Sequence, residues 1–355
     1  MRKSKPRLTQ LVQLGLVPRP LPTPPLTGPL VDTFGRTHSD LRISVTDRCN
    51  IRCFYCMPET GATFAKASDL LSFDEITRFV SVAVPLGIGK IRLTGGEPLL
   101  RPKLPDLVAK LSAISGIRDL ALTTNGVLLA DAAQPLHSAG LRRLNVHLDT
   151  LDRERFLLIS RRDDLARVLK GIEAAKTIGY DVIKLNAVAI KGLTEPDVLS
   201  LVRFGRANGM EVRFVEFMPL DAQDIWSLDK VLTADNMIEM LEQEFGPLTA
   251  VPDADPRAPA TEYCFSDGYR VGFIASVSKP FCLNCNRLRL TSDGKVRYCL
   301  FATEETDVRP LLQSPDTAKD LASALRSTVW RKWVGHEINR AGFVAPQRPM
   351  YAIGG

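Results

Sequence analysis

The chain has 355 residues, 45% hydrophobic and 24% charged, the composition of an ordinary globular protein of one large domain or one and a half. A net charge of +6 without a long Lys/Arg run gives no basic arm for nucleic acid and suits a small polyanion such as a nucleotide. No apolar run approaches the roughly 20 residues of a membrane span, the seven cysteines fit a closed disulfide framework poorly, and with no clear export signal the expected compartment is the reducing cytoplasm.

Residues 1–35, basic and then proline-rich, read as a flexible lead-in. From about residue 40, short β-branched runs alternate with helix-period segments. "LRISVT" is strand-like, and Cys49, Cys53 and Cys56 follow it with the spacing C-x3-C-x2-C. "LSFDEITRFVSVAVPLG" opens with Ser72 and Glu75 in capping-box spacing and places Ile76, Phe79, Val80 and Ala83 on one helical face. "KIRLTGG" is the next strand and runs into Gly95-Gly96-Glu97-Pro98. A helix over 103–113 leads to the strand "DLALTTNG", with Thr123, Thr124 and Asn125 at its end. A helix over 130–139 leads to "RLNVHLDT", which ends near Asp149. Leu165, Val168, Leu169, Ile172 and Ala175 mark another amphipathic helix. "DVIKLNAVAI", a helix over 195–207 and "EVRFVEFMPL", with Glu216 to Met218, complete the series.

Six strands, each followed by a helical segment, predict parallel strands joined by right-handed crossovers. A closed barrel of this type needs eight units, so the prediction is an α/β fold, an open partial (βα)6 barrel over residues 36–245. The conspicuous residues all fall at the C-terminal ends of the strands, which predicts one shared site there. After residue 245 the texture changes. "GPLTAVPDADPRAPATEY" reads as a linker or long loop, and "YRVGFIASVS" and "RLRLTSDGKVRYCLFA" as strands and a hairpin turning at Asp293-Gly294. Residues 246–355 are therefore a smaller C-terminal α+β element. It carries a second triplet, Cys282, Cys285 and Cys299, and ends on Gly354-Gly355. Cys264 belongs to neither triplet and reads as a small buried hydrophobe.

Each triplet stops at three thiols. A structural zinc site wants four ligands, and His38, eleven residues before Cys49, is no partner for the first set. A 4Fe–4S cluster on three thiolates leaves one iron open to a small molecule, which is a reason to stop at three. The alternatives are a degenerate zinc site or unrelated buried cysteines. Beside the second triplet, Arg287 and Arg289 alternate along a strand and point the same way, which suits an anion delivered to an open metal site. The alternative there is a solvated basic strand beside a zinc ribbon.

The first triplet, with Tyr55 just before its third cysteine, and "TGGEP" at 94–98 resemble the radical S-adenosylmethionine (SAM) superfamily. Over residues 35–355 the motifs "LRISVTDRCNIRCFYCMPE", "IRLTGGEPLLR", "LTTNG", "GLRRLNVHLD", "VRFVEFMPL", "CLNCNRLRLTSDGKVRYCLFA" and the terminal glycines together resemble the GTP 3′,8-cyclase family of molybdenum-cofactor biosynthesis. The resemblance implies two 4Fe–4S clusters. The first, on Cys49, Cys53 and Cys56, chelates SAM and on reduction yields methionine and a 5′-deoxyadenosyl radical. That radical takes hydrogen from C3′ of GTP, and C3′ then attacks C8 of the base. Reduction and protonation give 3′,8-cyclo-7,8-dihydro-GTP. The second cluster, on Cys282, Cys285 and Cys299, binds the guanine.

The resemblance also implies GTP contacts from Arg42, Lys90, Arg92, Thr123, Lys184, Arg287, Leu288 and Arg289. It implies SAM contacts from Tyr55, Gly96, His147, Asn186, Arg213 and Met218. Catalytic roles fall to Arg287, Arg289, Gly354 and Gly355, with the tail reaching the active site. His147 stands where the family usually has Ser. Implied partners are a flavodoxin- or ferredoxin-like electron donor, cyclic pyranopterin monophosphate synthase downstream, and a second copy of the chain in a homodimer. Two rival readings remain. A radical SAM peptide-modifying enzyme with an auxiliary cluster would usually carry more C-terminal cysteines and would not need Arg287 and Arg289. A non-catalytic iron–sulfur or zinc module would not cleave SAM under dithionite.

Overall fold

The computed structural model describes residues 23–220, 225–252, 254–339 and 343–354, so residues 1–22 of the expected lead-in and the terminal Gly355 lie outside the described residues. The reading of 1–35 as a flexible lead-in does not extend to Leu30. That side chain is buried in the core, and its N–H donates to the Leu86 carbonyl at 2.8 Å. The Arg326 guanidinium donates to the Gly28 carbonyl at 2.6 Å, a second tie from the body of the fold.

Six parallel strands pair in sequence order: β1 (Asp40–Ser44), β2 (Lys90–Thr94), β3 (Asp119–Thr124), β4 (Arg143–His147), β5 (Val182–Ala189) and β6 (Glu211–Glu216). Between them run α1 (Phe73–Ala83), α2 (Leu104–Ser112), α3 (Leu129–Ser138), α4 (Arg153–Ser160), α5 (Leu165–Ile178) and α6 (Glu195–Asn208). The capping box of α1 is present: Ser72 Oγ accepts from the Glu75 N–H at 3.2 Å, and the Glu75 carboxylate accepts from the Ser72 N–H at 2.7 Å. Its buried face is Ile76, Phe79, Val80 and Ala83, as the periodicity predicts. The partial barrel expected from strand–helix alternation is the observed architecture. Helix α4 was not expected, since its eight residues carry no clear one-sided apolar pattern. It starts on Asp152, whose carboxylate accepts from the Arg155 N–H at 2.7 Å.

The chain after β6 continues the same sheet. Helix α7 (Ala234–Phe245) is followed by β7 (Thr249–Ala250), β8 (Thr261–Cys264) and β9 (Arg270–Ile274), an antiparallel run whose last strand pairs parallel with β6. Then β10 (Arg287–Leu290) pairs parallel with β1, and β11 (Lys295–Arg297) and β12 (Thr306–Asp307) continue outward. Among the described residues the order is β12-β11-β10-β1-β2-β3-β4-β5-β6-β9-β8-β7. Both free edges of the six parallel strands are thus covered by strands from 246–355, which pairs backbone groups that would otherwise be exposed. The hairpin turns at Asp293-Gly294 as predicted, with Gly294 at φ +86 donating to the Thr291 carbonyl at 3.1 Å. Helices α8 (Arg309–Leu312), α9 (Ala318–Trp330) and α10 (Met350–Ile353) complete the chain.

Strand periodicity sorts the side chains between the two faces of the sheet. Leu41, Ile43, Ile91, Leu93, Leu122, Leu144, Val146, Leu185, Val212, Phe214 and Leu288 form the apolar core with the helices. The alternate positions face inward and are largely polar. Near the N-terminal ends of the strands Lys184 pairs with Glu211 at 2.6 Å, Arg213 with Glu211 and with Glu262 (2.7 Å), and Arg143 with Asp119. These pairs form an ionic floor, and the C-terminal ends stay open above it.

Glu216 fastens the last parallel strand to the C-terminal region. Its carboxylate is fully buried and accepts from the N–H groups of Ala234 (2.9 Å), Val277 (2.8 Å) and Ser278 (2.7 Å). Glu216→Ala leaves these buried donors without an acceptor. The expected loss is about 3 kcal/mol or more of stability, read as a lower urea midpoint, and an unchanged midpoint would refute this role.

Candidate functional site

A cavity of about 310 Å³ opens at the C-terminal ends of the strands, and all six triplet cysteines line it. The first triplet sits in the loop after β1. Helix α4 holds this loop from outside, because the carbonyls of Ser160 and Ile159 accept from the N–H groups of Arg52 (2.8 Å) and Phe54 (3.1 Å). Inside the loop the Cys53 carbonyl accepts from the N–H groups of Cys56 (2.9 Å) and Met57 (3.0 Å), a tight turn that aims the thiols at one place. The glycine pair after β2 packs its backbone against the same loop. A Cβ at Gly96 would lie 2.4 Å from the Arg48 carbonyl oxygen, and one at Gly95 2.4 Å from that of Thr46, so neither position accepts a side chain. Glu97 is buried and ties this turn to the end of β3. It accepts from Thr124 Oγ1 and the Asn125 N–H, both at 2.7 Å, and burial pushes its carboxyl up to about 7. Asn125 Nδ2 lies 3.6 Å from Cys49 Sγ. Burial, helped by Glu97, raises the Cys49 thiol to about 12. Burial likewise raises Cys56.

Tyr55, His147 and Asp149 form one half-buried network. Tyr55 Oη lies 2.5 Å from His147 Nε2 and also donates to Asp149, while His147 Nε2 lies 3.0 Å from Asp149 Oδ2. The other oxygen of Asp149 accepts from the Val188 N–H at 2.7 Å. Burial disfavours the charged imidazole, but the Asp149 carboxylate outweighs it and holds His147 well above its ordinary value. The ends of β4 and β5 thereby grip the phenol that stands between two of the cysteines.

The second triplet lies opposite. Cys282 is in a short 3-10 turn, Cys285 just before β10 and Cys299 after β11. Burial pushes the Cys285 thiol up, but the Arg287 guanidinium and the Lys332 ammonium outweigh it and bring it down to about 6. Lys332 Nζ is 3.2 Å from Cys285 Sγ and donates to the Arg287 carbonyl at 2.9 Å. Burial raises the Cys282 thiol.

Between the triplets runs a row of cations. Register pairs Arg42 on β1 with Arg92 on β2 and with Arg289 on β10, so three guanidiniums stand side by side on adjacent strands. Burial lowers all three, Arg289 to about 10, with neighbouring guanidiniums adding to the shift in Arg42 and Arg289. Arg42 Nε, Arg92 Nε and Arg287 Nη1 are buried with no hydrogen-bond partner among the described residues. Buried donors normally have partners, and a set of guanidiniums is suited to an anion. Arg289 donates to the Gly354 carbonyl. Gly354 has φ +90, and a Cβ there would lie 2.8 Å from Ser44 Cβ and 3.2 Å from Thr94 Cγ2, so the tail reaches the mouth of β1 and β2 through a gap only glycine fits.

Of the residues predicted to contact ligands, Arg42, Arg92, Thr123, Arg287 and Arg289 line the cavity, as do Tyr55, Gly96, His147, Asn186 and Met218. Asn186 Oδ1 is another buried atom without a partner among the described residues. Lys90, Lys184, Arg213 and Leu288 do not line it. Lys90 sits at the start of β2, pairs with Asp255 at 3.0 Å and is 42% exposed. Lys184 and Arg213 belong to the ionic floor, and Leu288 packs in the core behind the strand. Cys264 is partly exposed and donates to the Phe265 carbonyl at 3.3 Å. The sequence reading missed Lys332, Phe281, Phe301 and His336. Lys332 and His336 follow Cys299 by more than thirty residues in no motif, so only the fold brings them there.

The donor set fits the expected clusters. The thiols of each triplet line the cavity, and three thiolates are the set that leaves a 4Fe–4S cluster one open iron. Among the described residues no helix is long and apolar enough to cross a membrane.

Comparison with known proteins agrees with this architecture. The profile of the Radical SAM superfamily matches residues 43–205, and that of Molybdenum Cofactor Synthesis C matches residues 210–338. A protein of Rhodopirellula baltica named GTP 3′,8-cyclase is 47% identical over 330 residues, covering 92% of each chain. One of Mycobacterium sp. strain KMS, with the same name, is 47% identical over 343 residues, covering 96% of this chain and 97% of its own. Among solved structures, SuiB of Streptococcus suis bound to S-adenosylmethionine superposes with a TM-score of 0.56 at 14% identity, over 84% of this chain and 68% of that one. That likeness is one of fold. Near-full-length identity to the cyclases, together with both profiles, shows that the chain belongs to the GTP 3′,8-cyclase family of radical SAM proteins.

Proposed function

We propose that this chain is a lyase that converts GTP to 3′,8-cyclo-7,8-dihydro-GTP at an early step of molybdenum-cofactor biosynthesis, using SAM and two 4Fe–4S clusters. The observation that carries this reading is that both cysteine triplets and the row of Arg42, Arg92 and Arg289 face one cavity. When bound, the clusters supply the electron that cleaves SAM and an open coordination site for the base. The residues do the rest. Cys49, Cys53 and Cys56 hold the first cluster, while Tyr55, Gly96, His147, Asn186 and Met218 surround SAM. Cys282, Cys285 and Cys299 hold the second. Arg42, Arg92, Arg287 and Arg289 neutralise and orient the triphosphate, and Thr123 adds a hydroxyl. Convergent cations in a buried site act strongly, because little water screens them. Residues 36–245 supply the SAM site together with Arg42, Arg92 and Thr123 for GTP, and residues 246–355 supply the second cluster with Arg287 and Arg289. A flavodoxin- or ferredoxin-like donor supplies electrons in the cytoplasm, and the product passes to cyclic pyranopterin monophosphate synthase. The test is anaerobic reconstitution with dithionite, SAM and GTP, followed by mass analysis. Deoxyadenosine and an isomer of GTP are expected, and deoxyadenosine without any cyclised nucleotide would overturn the reading.

The tail gives a second expectation. Gly354→Ala adds a Cβ that meets Ser44 at 2.8 Å and forces a side chain into a left-handed conformation. The tail should leave its gap and Arg289 should lose the Gly354 carbonyl. Turnover should fall about tenfold or more, while the unfolding midpoint barely moves because only the chain end shifts. Wild-type turnover would refute a role for the tail.

A further inference from the structure

We propose that His336 reads the purine base, donating from Nε2 to the guanine edge that carries O6 and N7; this rests on the GTP reading above. His336 is 7% exposed and lines the cavity beside Phe281, Cys282, Cys285 and Arg287. Its ring packs against Phe301, with centroids 5.0 Å apart and planes at 55°. Nδ1 accepts from the Ile338 N–H at 3.4 Å. A neutral imidazole carries one N–H, so with Nδ1 as acceptor the proton sits on Nε2. Nε2 has no partner at hydrogen-bonding geometry among the described residues, although the Ser276 carbonyl lies near enough to the ring to favour an N–H there. A buried donor on a cavity-lining residue without a protein partner is a place for a ligand acceptor.

The tautomer separates two roles. An imidazole that ligates metal uses one nitrogen lone pair and donates from the other nitrogen to an acceptor. Here the Ile338 N–H occupies Nδ1, which makes Nε2 a donor and not a ligand. The base adjoining the second triplet must therefore offer an acceptor to His336. Guanine offers two on one edge, O6 and N7, where adenine replaces O6 with an amino donor. Phe281, under the Arg287 guanidinium, and Phe301 also line the cavity and add apolar edges beside a base. The cationic row takes the phosphates, and His336 takes the base.

The experiment compares full-length wild type with His336→Phe and His336→Gln, each loaded anaerobically with iron and sulfide. Dissociation constants are measured for GTP, for 7-deaza-GTP, which lacks N7, and for 2-aminopurine riboside triphosphate, which lacks O6. His336→Phe keeps an aromatic ring against Phe301 and should bind GTP about tenfold more weakly. His336→Gln keeps an N–H donor and should stay within about threefold of wild type. The penalty of the Phe variant should vanish with at least one of the two analogues. No penalty, or an equal penalty on all three nucleotides, overturns the assignment. So does an altered spectrum of the nucleotide-free second cluster with an unchanged nucleotide preference, which would mean that Nε2 donates to the cluster. If the Phe variant fails to load iron, His336→Leu replaces it in the same comparison. A loaded wild type that binds no GTP overturns the parent reading, whereas wild-type binding that is insensitive to His336 overturns this one alone.

Discussion

A Cys53→Ala chain, reduced with dithionite in the presence of SAM, should form no deoxyadenosine. Three thiols leave no reserve, since a cluster on two protein ligands does not hold its open iron in place. No neighbour can substitute. Tyr55, His147 and Asp149 are tied to one another, and the Glu97 carboxylate is spent on the ends of β2 and β3. The fold itself should persist, because the loop is held from outside by the carbonyls of α4 and the tight turn uses backbone groups that Ala retains. The expected result is complete loss of SAM cleavage, roughly half the iron of wild type, and a circular dichroism spectrum like that of wild type. SAM cleavage at the wild-type rate would remove the first triplet from the chemistry.

The reciprocal change separates the two halves of the site. Cys282→Ala should also lose roughly half the iron, yet still cleave SAM slowly, and it should make no cyclised nucleotide. The reason is structural. The first triplet is built on the loop after β1 and fastened by α4, whereas the second is built on a 3-10 turn, β10 and β11 and flanked by Lys332. Their thiols face each other across the cavity. A structural zinc site at the second triplet predicts a different pattern: zinc in the purified protein, a general fall in stability, and no selective loss of GTP chemistry. Metal analysis, the unfolding midpoint and product mass together distinguish the two. Stoichiometric zinc with about four irons, and a spectrum insensitive to GTP, would defeat the two-cluster reading.

The sequence by itself determined the order of elements, because strand and helix periodicities are local. The six parallel strands, the capping box at Ser72 and the hairpin turn at Asp293-Gly294 all depend on residues within a few positions of one another. It also determined the chemistry-bearing residues that come in runs: both cysteine triplets, the glycine pair after β2, and Arg287 with Arg289. Helix α4 was missed because eight residues with little amphipathic pattern leave no periodic signal. Tertiary structure alone decided which edges the C-terminal strands cover. Pairing of β9 with β6 and of β10 with β1 joins residues far apart in the chain, and it places two triplets separated by more than two hundred residues around one cavity. It also divided the predicted cations. Lys90, Lys184 and Arg213 share the inner face with Arg42 and Arg92, but the first three lie nearer the strand starts or meet the carboxylates of Asp255, Glu211 and Glu262. Donors of Arg42, Arg92, Arg287 and His336 are buried without a hydrogen-bond partner among the described residues. Which charge is neutralised and which is left waiting depends on partners supplied by distant strands, and no local pattern in the chain records them.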